Sequence, residues 1–375
     1  MTAGRMMRRR MEGRHRPCVR MMSSCLSRHH GGKVVFTGCQ PSGGGDGLHL
    51  GNYLGALLPF VGMQGRAEYE RLYFCVVDLH ALTTAQRGQS GGGESVGERS
   101  ERLFATAVAA GVDPERTTVY LQSSVAAHSE LLWLLACRTP VHLLNTMTQW
   151  KEKRAAGSNA GLYTYPVLMA ADILLFGATH VPVGDDQQQH LELARKLADS
   201  FNAAAHPRPL FARPLTISCP SFPRVMDLRR PSAKMSKSSP SGSSRLNLCD
   251  PADVIASKIR RATTDSLPGL SFDPEARPGL ANLLRIHSAL SGEDPAAIAD
   301  SFSAGGFGAL KASLVDLLVA KLGPVAARTS RLLEGDRAEL RHLIRHGGLR
   351  ASADAAPRID LYKSVILGYP SAKTT

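Results

Sequence analysis

Ala233-Lys-Met-Ser-Lys-Ser238 sets two lysines three positions apart in a run of small residues. Ammonium groups so spaced on a flexible loop can clamp a polyphosphate as point charges and follow it as a bond breaks. Far upstream, Gly38-Cys-Gln-Pro-Ser-Gly43 is followed by His49-Leu-Gly-Asn52. A Gly-rich turn between a strand and a helix N-terminus offers free amides and the helix dipole to an anion, and a His at the entry can donate to a phosphoryl oxygen. Read singly, one is a solvated basic loop and the other a common turn. Their chemistry is complementary only if the fold brings them together.

Two further patterns suit a small ligand. In Leu168-Met-Ala-Ala-Asp-Ile-Leu174 a carboxylate, Asp172, stands in an apolar helix expected to begin near Pro166. A buried Asp is costly unless paired, so it either caps internal polar groups or awaits a donor on a ligand. Val183-Gly-Asp-Asp-Gln-Gln-Gln-His190 reads as a strand-to-helix turn, and open α/β sheets bind ligands at the carboxyl ends of their strands.

The elements that must hold these residues are legible. Lys33–Gly38, Leu72–Asp78, Thr117–Gln122 and His180–Val183 read as buried strands. Between and after them, Leu48–Phe60, Glu101–Gly111 and the segment from Asp185, with Leu193, Leu197 and Phe201 on one face, have helical spacing. That alternation predicts a parallel sheet with helical crossovers. From Asp250-Pro251, read as an N-cap and a first-turn proline, the chain is expected to be helical over Pro251–Thr263, Leu280–Leu290, Phe307–Leu322 and Ser330–Arg345. Gly88–Gly97 and Ser238–Ser244 read as flexible loops. An α/β domain, 33–245, followed by a helical one, 246–375, is the expected organisation.

The 375 residues are 43% hydrophobic and 21% charged, with a formal charge of +13, a globular composition with an acidic partner implied. No run approaches the roughly 18 apolar residues of a membrane span. Much of the charge is local: residues 1–32 hold eight arginines and one acid, Glu12, a net +7 that leaves +6 beyond. An Arg-rich, acid-poor leader resembles an organellar transit peptide. Seven scattered cysteines without a C-x-x-C pair exclude a Cys-based zinc or iron–sulfur site and a disulfide framework, and are expected to be reduced and mostly buried.

In that order on one chain, His49-Leu-Gly-Asn52 and Lys234-Met-Ser-Lys-Ser238 resemble the class I aminoacyl-tRNA synthetases. Gly38-Cys-Gln-Pro-Ser-Gly, Met147-Thr-Gln-Trp-Lys-Glu-Lys153, Thr164-Tyr-Pro, Met169-Ala-Ala-Asp-Ile-Leu and Gly184-Asp-Asp-Gln narrow the resemblance, from about Lys33 to Leu349, to the bacterial-type tryptophanyl family. It implies a Rossmann-like catalytic domain, an anticodon-reading helical tail, a homodimer, and ATP with Mg2+, L-tryptophan and tryptophan tRNA as substrates. His49 and Asn52 would contact the phosphates. Gly51 would admit adenosine beside Gln40, Pro41 and Ser42. Lys234, Met235, Ser236, Lys237 and Ser238 would form the loop over the pyrophosphate, with Lys153 reaching the triphosphate. Gly184, Asp185, Asp186 and Val225 would lie near the nucleotide. Asp172 would accept the indole N–H in a slot shaped by Tyr165, Met169, Phe36, Val181 and Val183, and Gln187 would hold the amino-acid end.

The chain departs from that family at four places. Gly44–Gly47 lengthens the first loop and is expected to bulge into solvent. Asp185 stands where the family carries Glu. The Arg154–Gly161 connection is short, and Pro357 is expected to split the terminal helix into Ala351–Ala355 and Asp360–Leu367. The sister tyrosyl family shares the fold and both signature loops, and a tRNA-binding paralogue without activity is a second alternative. Arg dominance in the leader favours a mitochondrial matrix destination over a plastid stroma.

Overall fold

In the computed structural model the described residues are 32–41, 47–83, 94–153, 159–182, 187–205, 207, 209–217, 224–236 and 241–369, the side chains of Gln149, Glu152 and Lys153 excepted. The expectations placed on the leader, on the bulge from Gly44 and on the connection from Arg154 lie outside them. Five strands, β1 (Lys33–Cys39), β2 (Tyr69–Val76), β3 (Thr118–Leu121), β4 (His180–Pro182) and β5 (Leu215–Ile217), form one parallel sheet in the order β3-β2-β1-β4-β5. Successive residues feed opposite faces: Val35, Leu72, Phe74 and Val119 enter one core, Val34, Phe36, Tyr73 and Tyr120 the other. Burial on both faces makes these strands continuous apolar runs in sequence rather than alternating ones.

Helices cover both faces. After β1, α1 begins at Leu50–Asn52, widens through a π-helical stretch, Tyr53–Leu57, and closes at Leu58–Val61. There follow α2 (Asp78–Ala81), α3 (Val96–Ala109), α4 (Ala127–Ala136), α5 (Val141–Asn145), α6 (Thr148–Lys153), α7 (Ala160–Leu175) and α8 (Gln188–Ala204). Every regular element described beyond Leu246 is helical: α9 (Ala252–Arg260), α10 (Pro278–Ser291), α11 (Pro295–Ser301), α12 (Gly306–Leu333) and α13 (Ala338–Leu367). Together these give a Rossmann-like sheet followed by a helical region, as the fold class read from sequence requires.

The helical region shares its packing with the sheet. Ile255 of α9 and Leu314 and Leu318 of α12 join the core of α1 and α3, while Ala351 and Ile359 of α13 join that of α4, α7 and α8. A smaller core of its own holds Leu270, Leu280, Leu284, Ile298 and Leu310. Helix α13 lies along the β3 edge so closely that a Cβ on Gly347 would collide with the Val119 carbonyl. Its Asp354 accepts hydrogen bonds from the Tyr73 hydroxyl and the Arg71 guanidinium, each at 2.9 Å. A covered edge is closed to pairing with other chains.

Several expectations are corrected. Helix α7 starts at Ala160, not near Pro166: Asn159 caps it by accepting the Leu162 N–H at 2.7 Å, and Pro166 lies inside. Pro357 does not split the last helix. Pro357 and Ala353, whose carbonyl loses its N–H partner, both lie on an exposed face of the helix. Meanwhile Ala351, Ala355, Ile359 and Tyr362 anchor the helix on both sides of the proline. The same holds at Pro324, and α12 runs on to Leu333, so the helix expected over Ser330–Arg345 is instead the end of α12 and the start of α13. Pro251, not Asp250, occupies the N-cap position of α9. Of the described cysteines, all free, only Cys75 is buried; Cys137 and Cys249 are exposed and Cys39 is half-buried.

Candidate active site

His49 is the N-cap of α1, buried, and locked by reciprocal bonds with Asn52. The Asn52 N–H donates to His49 Nδ1 and the His49 N–H donates to Asn52 Oδ1, both at 3.3 Å. Because Nδ1 accepts, Nε2 carries the proton of the neutral ring and is the atom able to donate to a phosphoryl oxygen. Gly51 is needed for this arrangement: a Cβ there would come within 3.0 Å of the His49 ring and 3.8 Å of the Met235 Cβ. Gln40 donates through Nε2 to the His80 carbonyl at 3.3 Å, and the Pro41 carbonyl accepts from Arg99 Nε at 3.3 Å. Ser42 lies outside the described residues.

The lysine loop rises from a short hairpin. Met226 pairs antiparallel with Lys234, flanked by Asp227 N–H to Ala233 carbonyl (2.8 Å) and Met235 N–H to Val225 carbonyl (3.1 Å). Val225 and Met235 are buried in the core shared with α1, whereas Lys234 is exposed. Downstream of the loop, Asn247 pairs antiparallel with His49, through Leu50 N–H to Leu246 carbonyl (2.8 Å) and Leu248 N–H to Leu48 carbonyl (2.9 Å). The two signature segments, nearly 200 positions apart in sequence, thus abut through Gly51 and Met235 and through this pairing. Ser236 is half-buried beside them; Lys237 and Ser238 are outside the described residues.

Asp172 is 1% exposed and is met by three side chains. Gln122 Nε2 donates to Oδ1 at 2.7 Å, His80 Nε2 donates to Oδ2 at 2.9 Å, and His128 Nδ1 lies 2.7 Å from Oδ1. Burial alone would raise its pKa; the attraction and hydrogen bonding of His128, then of His80, outweigh burial and hold the carboxyl below the usual carboxylate range. An ionised carboxylate offers about four lone-pair sites, so three partners leave room for one more donor. Asp172 therefore satisfies internal polar groups and, by lone-pair count, retains acceptor capacity.

Phe36 and Val181 are buried in one core cluster, with Met169 packed against it. The Tyr165 hydroxyl and His190 Nε2 stand 2.7 Å apart, and the Tyr165 ring meets His80 edge-on. Gln187 caps α8, half-buried. Val183, Gly184, Asp185 and Asp186 lie outside the described residues, as does the Lys153 side chain, although Lys153 itself ends α6. His80, Gln122 and His128 were not singled out from sequence. The available signal was position: His80 and Gln122 follow the apolar runs of β2 and β3, at the carboxyl end of the sheet where such sites form.

Comparison with known proteins agrees with this geometry. Residues 29–321 match the family model described as tRNA synthetases class I (W and Y), and the chain belongs to that family. Within it, the chain is 45% identical over 328 residues to the tryptophan–tRNA ligase of Gloeobacter violaceus, covering 85% of this chain and 92% of that one. The tryptophanyl-tRNA synthetase structure from Mycoplasma pneumoniae superimposes with a TM-score of 0.75 at 32% identity, over 89% of this chain and 97% of that one. That from Campylobacter jejuni, complexed with ADP and tryptophan, gives 0.74 at 30% identity, over 89% and 99%.

Proposed function

We propose that this chain is a tryptophan–tRNA ligase. Tryptophan's carboxylate attacks the α-phosphorus of ATP, the bond to the β-phosphate oxygen breaks and pyrophosphate leaves. A hydroxyl of the terminal ribose of tryptophan tRNA then attacks the acyl carbon of the adenylate, and AMP leaves. The observation that carries this reading is the abutment of the His49 and Lys234 segments at Gly51 and Met235. It supports a reading in which an N–H donor and an ammonium clamp act on one polyphosphate, and such a reaction needs positioning and charge stabilisation rather than a protein nucleophile.

In this reading His49 Nε2 donates to a phosphoryl oxygen, Asn52 holds the imidazole tautomer, and Gly51, Gln40, Pro41 and Ser42 border the adenosine. Lys234 and Lys237, carried with Met235, Ser236 and Ser238, follow the departing pyrophosphate, with Lys153 as a third cation. Mg2+ arrives on the triphosphate as part of the substrate. Val225, Gly184, Asp185 and Asp186 complete the nucleotide side. Asp172 takes the indole N–H, Tyr165, Met169, Phe36, Val181 and Val183 shape the slot, and Gln187 meets the amino-acid end.

Amino-acid-dependent exchange between pyrophosphate and ATP tests the reading. Exchange driven by tryptophan is expected; exchange driven by tyrosine instead, or by neither, overturns it.

Three finer assignments belong to the same proposal. The helical region from 246 reads the anticodon, supported by the resemblance. A second copy docks on α4 and α5, supported by Trp133 and Val141, apolar yet 70% and 63% exposed. The leader addresses the chain to the mitochondrial matrix, supported by its eight arginines against one acid. Fusing residues 1–32 to a fluorescent reporter and locating it tests the last; a diffuse cytosolic or plastid signal refutes it.

A further inference from the structure

Asn282 stands in the middle of α10, buried, at a position where neither helix propensity nor apolar packing calls for an amide. Its side chain makes both of its bonds to one residue of the lysine-loop hairpin. The Met226 N–H donates to Asn282 Oδ1 at 2.9 Å, and Asn282 Nδ2 donates to the Met226 carbonyl at 3.1 Å. Met226 is the residue directly opposite Lys234. The bonds between the two hairpin strands flank that pair, so the N–H and carbonyl of Met226 point outward, away from Lys234's strand. A carboxamide has the donor and acceptor spacing of a peptide group, and here it serves as a one-residue third strand on that edge.

The rest of the stem is held from the same side. The Thr263 N–H donates to the Leu228 carbonyl at 2.8 Å and its hydroxyl to the Arg229 carbonyl at 3.0 Å. Gly279, in the first turn of α10, lies so close to Thr263 that a Cβ would collide with the Thr263 carbonyl. The hairpin stem is therefore fastened to α10 and to the residues just after α9, and moves with them as one body.

The geometry points to Asn282 as a positioning residue for the ATP clamp, acting through Met226 to set where Lys234 stands. This rests on the ligase reading above. Its removal frees the stem edge without touching tryptophan's slot, so the loss falls on ATP and on the chemical step.

The test compares the wild type, Asn282→Ala and Asn282→Asp, the last keeping an acceptor for the Met226 N–H but no donor for its carbonyl. In tryptophan-dependent pyrophosphate exchange, Asn282→Ala, which loses both neutral hydrogen bonds, is expected to show about a tenfold loss of kcat/KM for ATP, and Asn282→Asp, which loses the bond to the Met226 carbonyl, a loss of at least about threefold. The KM for tryptophan is expected to change less than about twofold. In a Lys234→Ala background, Asn282→Ala is expected to cost less than about twofold further, because a residue acting through Lys234 has nothing left to position. Unchanged kcat/KM for ATP, an equal rise in the KM for both substrates, or an undiminished loss in the Lys234→Ala background overturns the inference. So does failure of both variants to fold, which would assign Asn282 to the core alone. A wild type without tryptophan-dependent exchange would instead sink the ligase reading.

Discussion

His128 Nδ1 and Asp172 Oδ1 lie 2.7 Å apart with both residues almost wholly buried, and the Tyr120 hydroxyl stands 3.1 Å from the other imidazole nitrogen of His128. Three residues from β3, α4 and α7 thus form a buried line that ends at the acceptor proposed for the indole N–H. What the line supplies is an acceptor already ionised and oriented before ligand arrives, which a carboxyl left alone at that depth would not be.

Asp172→Asn removes the charge and keeps the shape. A hydrogen bond to a charged acceptor contributes about 1.5–3 kcal/mol, so the KM for tryptophan should rise about 10- to 100-fold, with a smaller effect on the KM for ATP. In the wild type the carboxyl's folded pKa is depressed, so the stability it contributes is complete above the ordinary carboxylate value and is lost as pH falls below it. His128→Leu removes the stronger of the two imidazole attractions and lets burial push that pKa upward. Tryptophan affinity in this variant should begin to weaken at a higher pH than in the wild type as the solution is acidified. Fluorescence titration at several pH values decides it, and parallel profiles would show that His128 does not tune Asp172.

Capping and phosphate contact can be separated at His49. Asn is as good an N-cap as nature uses, so His49→Asn should keep α1 and change stability by less than about 1 kcal/mol. It loses the reach of Nε2, and removal of one preorganised donor costs about 10²–10³ in kcat. Steady-state exchange kinetics beside a urea melt provide the check. A variant with wild-type kcat would leave His49 as a cap and nothing more.

Sequence reasoning reached the first four strands, the helices α1, α3, α7 and α8 and the signature sequences because these are local: Val34–Phe36 and Leu72–Val76 are apolar runs, and His49-Leu-Gly-Asn52 is contiguous, whereas β5, three residues long, carries too little pattern to be read. It missed His80, Gln122 and His128 because their link to Asp172 is made by the order of strands in the sheet, which no spacing along the chain encodes. Asn282 was hidden for the same reason, some 50 positions beyond the hairpin it holds. Pro357 misled through a rule that is sound for an isolated helix, where nothing anchors the two halves.

That proline leads to a stability prediction. The ring still removes one hydrogen bond and crowds the preceding turn. Pro357→Ala restores the donor on an exposed face and should stabilise the chain by about 1–3 kcal/mol without altering exchange kinetics. The urea midpoint is expected to rise. A fall would mean that the proline itself is required for Ala351 and Ile359 to dock on the sheet.

Association through α4 and α5 has one exposed aromatic anchor to test. Trp133, 70% exposed, is the residue type most often found at the centre of interface hot spots, where truncation costs at least about 2 kcal/mol. Trp133→Glu adds the desolvation cost of a charge to that loss and should turn a micromolar solution of dimers into monomers. The substitution points away from both cores, so the far-ultraviolet spectrum should not change. Sedimentation equilibrium reads the outcome directly. A wild type that is already monomeric, or a Trp133→Glu variant that remains dimeric, would remove this face from consideration as the subunit contact.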